Sequence, residues 1–307
     1  MRLRTLPLSL AGVVCGGLLA MGGLGHNGNW WAFILLLLTA CSLQILSNLS
    51  NEMGDYRSGV DGEGREGPNY SMADGGLSVK QMWRAINGTV VVCALCGLAM
   101  VLVSWSAGIL PASADGTTGA DGTSALQAIG VLLLGAAAIW AATHYTLGKK
   151  PYGYRGLGDV FVFIFFGLVS VLGSYFVVAH TIDLEPWLLL PAVGMGLLSV
   201  AVLNVNNIRD MHSDEGIRKT IPLRIGERRA RWYQTILVVL GVAAFVVCNL
   251  WCLLLVPLFA LHLYGVWHRR GRQLDKMLPL LVIGTFLLSL LYTIVWVIEL
   301  GLRAKYG

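Results

Sequence analysis

Residues 48–61 read NLSNEMGDYRSGVD, and the stretch follows directly on an apolar run. A second polar stretch, residues 204–214 (NVNNIRDMHSD), does the same further along. Carboxylates and amides are costly in a hydrocarbon layer, so where they cluster at the end of an apolar run they are expected to face a cavity, a partner or an ion. Residues three and four apart share a helix face. Asn51, Glu52 and Asp55, with Asn48 a turn earlier, can therefore converge in the first stretch, and Asn206, Asn207, Asp210 and Asp214 in the second. His212 sits about 100° round the helix from its neighbours and is expected to point elsewhere. Two such faces opposed make an oxygen-lined cage. With Arg and Lys nearby, that cage suits Mg²⁺ bridging to a phosphorylated ligand, because Mg²⁺ binds through a few carboxylates plus substrate phosphates.

Outward from these motifs the chain is apolar. Its 307 residues are 56% hydrophobic and 13% charged, with a mean hydropathy of +0.68, which excludes an ordinary soluble domain and defines an all-α, polytopic membrane protein. A span needs roughly 20 mainly apolar residues. Nine stretches qualify: 6–24, 31–49, 86–110, 126–146, 159–179, 187–206, 232–250, 252–267 and 278–300. Placing the N-terminus inside puts 20 of the 22 Lys and Arg residues in inner segments, as the positive-inside rule expects. Arg303 and Lys305 at the C-terminus fall outside. The net charge of +5 is thus a topology signal, and nucleic acid is not an expected partner.

Arg2 and Arg4 ahead of an apolar run resemble the start of a secretory signal, but the run is long and no A-x-A-like site closes it. All six cysteines lie in apolar spans. Cys93 and Cys96 have the spacing of a redox or zinc pair, yet no second pair or nearby His completes a site, so they read as small packing residues. The glycines spread through the spans read as close-packing positions. The loop 113–124 is a Gly, Thr, Ala and Ser spacer. An apolar span ends in an Asn-rich acidic motif twice, in the second and sixth spans, which suggests internal duplication and puts both motifs on one side of the membrane.

Basic residues flank both motifs. Arg65, Lys149, Arg209, Lys219 and Arg224 are candidates to complement a diphosphate, whose charge Mg²⁺ alone does not neutralise; Arg228, Arg229, Arg231, Arg269, Arg270 and Arg272 are explained by topology alone. A third polar cluster on the same side, YTLGKKPYGYRGLGD (residues 145–159), holds Tyr145, Lys149, Tyr152, Tyr154, Arg155 and Asp159. Interfacial tyrosines are ordinary belt residues. Beside two acidic motifs they also suit the lining of an aromatic pocket or the stabilisation of a carbocation.

NLSNEMGDYRSGVD, YTLGKKPYGYRGLGDVFVFIFFG and NVNNIRDMHSDEGIRKTIPLRIG, together with the opening LRTLPLSLAG, closely resemble the signatures of the 1,4-dihydroxy-2-naphthoate polyprenyltransferases of menaquinone biosynthesis. That family belongs to the UbiA superfamily of intramembrane aromatic prenyltransferases, and the resemblance covers nearly the whole chain. It implies one domain over residues 1–307, a nine-helix bundle around a central cavity capped on the cytoplasmic side, in a bacterial cytoplasmic (inner) membrane. Substrates would be polyprenyl diphosphate and 1,4-dihydroxy-2-naphthoate, with Mg²⁺ as cofactor. Asn51, Glu52, Asp55, Asp210 and Asp214 stand at the metal motifs, and Arg65, Lys149, Arg209 and Lys219 look like diphosphate bases. Tyr145 with Lys149 resembles the superfamily's Y-x-x-x-K element, which adds Tyr145 to Asp55 and Asp210 as the catalytic set; Asn48, Asn206 and Asn207 are polar support. Glu52 stands where the family usually has Asp, and Tyr70 where an Arg often follows the Gly67–Pro68 pair. The alternatives are a prenyltransferase of the same superfamily acting on 4-hydroxybenzoate, and, in another class, a carboxylate-lined secondary transporter, which would place its charges near the midplane on broken helices.

Overall fold

The computed structural model describes residues 5–24, 29–59, 71–72, 75–109, 122–182 and 184–306, and these contain helices and no strand. Among the described residues are nine helices long and apolar enough to cross a membrane. They are α1 (Leu6–Leu24), α2 (Trp30–Ser58), α3 (Val79–Ile109), α4 (Gly122–His144), α5 (Gly158–Ala179), α6 (Pro186–Arg209), α7 (Glu227–Cys248), α8 (Leu250–His268) and α9 (Gly271–Tyr306). The nine expected spans are all present, and the differences lie at their ends.

The largest difference concerns the first acidic motif. Its apolar span closes at residue 49, and the motif was expected at the helix–loop junction; α2 carries the motif as helix, as the shared face of Asn51 and Asp55 requires, and runs on to Ser58. Polar side chains do not end a helix when they find partners, and Gln44 Nε2 donates to Asn48 Oδ1 at 3.2 Å one turn apart. Termination comes at Gly59, whose φ of 75° and N–H bonds to the carbonyls of Asp55 and Tyr56 make a left-handed C-terminal cap. Asn249 separates α7 from α8: its backbone is extended and its side chain accepts the Trp251 N–H at 3.0 Å.

α5 is composite. A turn of α-helix (Gly158–Val162) leads into a π-helical segment, Phe163–Gly173, before α-helix resumes at Ser174–Ala179. π-Helix is rare and is frequently found at functional sites; here the segment forms one wall of the central cavity. Its backbone lies close against α6, where a Cβ added at Gly167 would fall 2.5 Å from the Gly196 Cα.

α6 is the centre of the bundle, with 72% of its most apolar window buried, whereas α4 buries only 11% and turns most of its surface to lipid. Leu188, Ala192, Met195 and Leu198 on α6 are fully buried against α7 and α9 side chains such as Phe245 and Leu288. Behind α6 a buried polar chain ties three further helices together. Asn204 Nδ2 donates to Gln234 Oε1 at 2.9 Å, Gln234 Nε2 meets His262 Nε2 at 3.1 Å, and His262 Nδ1 meets the Met277 carbonyl at 3.0 Å. Because Gln234 accepts through Oε1, its Nε2 must donate to His262, whose proton is therefore on Nδ1. The result is a fixed floor behind the helix that carries the second acidic motif.

Candidate active site

A cavity of about 380 Å³ runs between α1, α2, α4, α5 and α6. One end is polar, with Asn48, Asn51, Asp55, Asn207, Asp210 and Arg218 in its lining; the other is apolar, with Val13, Leu36, Met100 and Val177. From Asp55 to Leu36 along α2 is 19 residues, about 28 Å at the α-helical rise. The cavity therefore extends through most of a hydrocarbon layer.

The first half-site is a stripe on α2. Gln44, Asn48, Asn51 and Asp55 all line the cavity, as expected of residues within about 60° of one another at 100° per residue. Asn51 Oδ1 accepts from Thr146 Oγ1 at 3.2 Å, and the same hydroxyl bonds the Ser50 carbonyl at 2.9 Å. Thr146 comes this near because residue 54 is glycine: a Cβ there would sit 2.4 Å from the Thr146 Cβ. Glu52 is the exception to the expected convergence. It lies about 40° beyond the Asn48 edge of that stripe, is absent from the cavity lining, and accepts the Met72 N–H on Oε1 at 3.2 Å while only 2% exposed. Packing of Leu46 and Met53 in one cluster with Met72 and Met82 sets this rotation.

The second half-site lies where α6 ends. Asp210 caps it with φ −93°, and one helical turn, Met211–Asp214, follows. Asn206, Asn207, Arg209 and Asp210 line the cavity, and His212 is exposed, as its phase predicts. Arg209 is buried, and its three guanidinium nitrogens all donate to carboxylates: Nε to Asp210 Oδ1 at 2.8 Å, Nη2 to Asp210 Oδ2 at 2.6 Å and Nη1 to Asp275 Oδ1 at 2.6 Å. Its geometry is that of a clamp on Asp210. Asp214 is buried and meets Arg218 Nε at 3.5 Å.

Arg218 joins the two half-sites. It pairs with Asp55 of α2 and with Asp214, and its guanidinium lies 4.7 Å from the centre of the Tyr154 ring. Tyr154 in turn donates to Asp55 Oδ1 at 3.3 Å and shares a 2.9 Å hydrogen bond with Ser58. Burial alone would lower the Arg218 pKa, but the charges of Asp55 and Asp214 outweigh it and raise it, which holds the guanidinium charged. Burial pushes the Tyr154 phenol up, against the pull of Arg218, and burial likewise raises Tyr152, with Tyr145 adding to it. Both phenols are thus kept protonated as donors.

The third cluster divides. Tyr145 and Tyr152 line the cavity and pack edge to face at 5.4 Å, whereas Asp159 turns to α7 and accepts from Tyr233 at 2.9 Å. Lys149 and Lys219 are exposed and absent from the lining; the Lys219 N–H bonds the Tyr154 carbonyl at 3.1 Å, which docks its loop but turns the neighbouring Arg218 inward. Arg65 and Tyr70 lie outside the described residues. Arg218 is thus the basic residue that the resemblance passed over in favour of Lys219. The signal for it was its spacing of four from Asp214, which puts acid and base on one face.

The donor set fits Mg²⁺. Its oxygens are hard carboxylates and amides, and the cluster of Asp55, Asp210, Asp214 and Asp275 with Arg209 and Arg218 carries formally two more negative charges than positive. Among the described residues no three acidic or imidazole side chains are grouped to hold an ion without rearrangement, because guanidinium groups already engage them; Asp55 and Asp214 meet across one such cation.

A helical membrane bundle whose two acidic half-sites face each other across one end of an apolar cavity defines an intramembrane enzyme that handles a charged head and a lipid tail. The chain belongs to the UbiA prenyltransferase family, whose model matches residues 120–290. Its relatives include proteins named 1,4-dihydroxy-2-naphthoate octaprenyltransferase. The one from Escherichia coli K12 is 41% identical over 87% of this chain and 78% of the relative. The one from Haemophilus influenzae is 34% identical over 95% and 92%. Among solved structures, the apo structure of a UbiA homolog from Aeropyrum pernix K1 superposes with a TM-score of 0.65 over 93% of this chain and 96% of that one, at 16% identity, a likeness of fold.

Proposed function

We propose that this protein transfers a polyprenyl group from polyprenyl diphosphate to 1,4-dihydroxy-2-naphthoate, releasing diphosphate and CO₂ and giving demethylmenaquinol. The observation that carries the reading is the convergence of Asp55 and Asp214, from the two motifs, on Arg218 at the polar end of a membrane-deep apolar cavity. The names of the relatives supply the acceptor. The residues that would hold Mg²⁺ are Asn51, Asp55, Asp210 and Asp214; when bound it supplies Lewis-acid neutralisation of the diphosphate. Glu52 supports α2 from outside the cavity, in keeping with its bond to Met72.

The chain's own residues account for the remaining steps. Arg218 neutralises charge that develops on the leaving diphosphate as the allylic C–O bond breaks, and Arg209 holds Asp210 in place. The tail lies along the apolar walls, which exclude water from the allylic cation. Tyr145 and Tyr152 present aromatic faces beside it. The acceptor carbon bearing the carboxylate forms the new C–C bond, and the C–CO₂ bond electrons restore aromaticity as CO₂ leaves. An acceptor that enters as the carboxylate needs no net proton removal. In this reading the N-terminus and the polar end of the cavity lie on the cytoplasmic face of a bacterial inner membrane with the C-terminus opposite, and the distribution of Lys and Arg supports it.

The test uses purified protein in detergent with a polyprenyl diphosphate, Mg²⁺, and either 1,4-dihydroxy-2-naphthoate or 4-hydroxybenzoate, with product masses read with and without EDTA. A prenylated, decarboxylated naphthoquinol that vanishes with EDTA is the expected product. Product from 4-hydroxybenzoate alone would overturn the acceptor, and no product from either acceptor would overturn the reaction.

A further inference from the structure

Most of the glycines in the bundle core are packing glycines. An added Cβ would fall 2.3 Å from Ser170 Oγ at Gly12, 2.0 Å from the Val171 carbonyl oxygen at Gly16 and 2.5 Å from the Gly196 backbone at Gly167. Two others differ. Gly135 on α4 and Gly173 at the end of the π-helical segment both line the cavity. An added Cβ at Gly135 meets nothing within 4 Å, and at Gly173 only Val169 Cγ1 at 3.7 Å, an ordinary contact. Backbone packing does not require glycine at either place, and a side chain there would occupy the cavity.

Their depth is set by helix geometry. Gly135 lies nine residues from His144 at the inner end of α4, about 14 Å away at 1.5 Å per residue. Gly158 adjoins the Tyr145 hydroxyl, 3.0 Å from an added Cβ. Gly173 is fifteen residues further along α5, at most about 22 Å at the same rise. The two walls meet at their inner ends through Trp140, whose ring centroid lies 5.9 Å from Tyr152 and 6.3 Å from Phe161. An extended isoprene unit advances by four C–C bonds, about 5 Å at bond lengths near 1.5 Å. A two-unit tail anchored at the carboxylates therefore ends short of both glycines, and a long tail passes both.

We propose that Gly135 and Gly173 determine donor chain-length specificity, by leaving open the bore through which isoprene units beyond about the third (at Gly135) and about the fourth (at Gly173) must pass. This rests on the prenyl-transfer reading above. The physical effect of a substitution is steric: a phenyl ring fills the bore, whereas a methyl narrows it only slightly.

The experiment compares geranyl diphosphate (two units) with octaprenyl diphosphate (eight units) as donors for wild type and for Gly135→Ala, Gly135→Phe, Gly173→Ala and Gly173→Phe. It reads the ratio of kcat/KM for the two donors within each preparation, a ratio that does not depend on the folded fraction. Each Phe variant is expected to lower the octaprenyl-to-geranyl ratio at least tenfold, and each Ala variant by less than threefold. Ratios equal to wild type in both Phe variants would overturn the proposal, whether total activity held or fell, since a merely structural role lowers both donors together. Wild-type protein that turns over neither donor would overturn prenyl transfer itself, and the chain-length role with it.

Discussion

Arg218→Ala removes the guanidinium that Asp55 and Asp214 share. At 3.5 Å between Arg218 Nε and Asp214 Oδ1, and an effective dielectric near 20, the gross attraction of that pair alone is about 5 kcal/mol. Relief of Arg218 desolvation returns part of it, and removing one partner of a buried pair costs about 3 kcal/mol net at the low end. Asp55 and Asp214 are each 1% exposed, so water does not screen what is left. A loss of about 3 kcal/mol corresponds to a fall on the order of 5–10 °C in Tm, read by tryptophan fluorescence of the detergent-solubilised protein in EDTA. Millimolar Mg²⁺ should restore several degrees in the variant, because a cation at the two carboxylates relieves the same repulsion. Arg218→Lys should fall between, keeping the charge but losing the planar fork. Turnover of Arg218→Ala should drop about a hundredfold, the magnitude of removing one preorganised charge-stabilising donor. A variant that melts within about 1 °C of wild type in EDTA and gains nothing from Mg²⁺ would refute the bridging role.

Gly54→Leu forces the inner end of α4 off α2, since even a Cβ would stand 2.4 Å from Thr146. A loss of about 1–3 kcal/mol is expected, measured as a lower Tm with Gly54→Ala between. Gln234→Leu leaves Asn204 and His262 buried without their shared partner. It should cost about 2 kcal/mol, and a Gln234→Leu variant that melts like wild type would show that the chain through Gln234 adds no stability.

Much of the bundle was legible in residue order, for a simple reason. A span must satisfy its backbone internally and hide its polar groups, so apolar runs of the right length mark helices whatever their neighbours do. The same rule marks the end of the apolar span at residue 49 and not the end of α2, because it reads hydropathy and treats Asn51 and Asp55 as polar residues leaving the membrane. Gln44 one turn earlier gives Asn48 a partner, and Thr146 and Arg218 give Asn51 and Asp55 theirs, inside a helix that runs to Ser58. Asn51, Asp55, Asn207 and Asp210 were legible as cavity residues from helical spacing. Glu52 has nearly the same spacing and was not, because a helix face is about 100° wide and only packing sets which part of it meets the cavity.

Residue order alone determined nine membrane spans, their alternation, and two acidic motifs on one side, because hydropathy, length and the Lys and Arg distribution are properties of each segment taken by itself. Tertiary structure decided which oxygens and cations meet. Asp55 and Arg218 are 163 positions apart, and only the tertiary fold, which sets the two half-sites across one cavity, brings them together. It also decided that Arg209 bridges Asp210 and Asp275 while Lys149 and Lys219 face solvent, and that Gly135 and Gly173 open onto the cavity whereas Gly16 and Gly167 are packed against backbone. Distances across the bundle depend on how helices are rotated against one another, and that rotation is a property of the whole core.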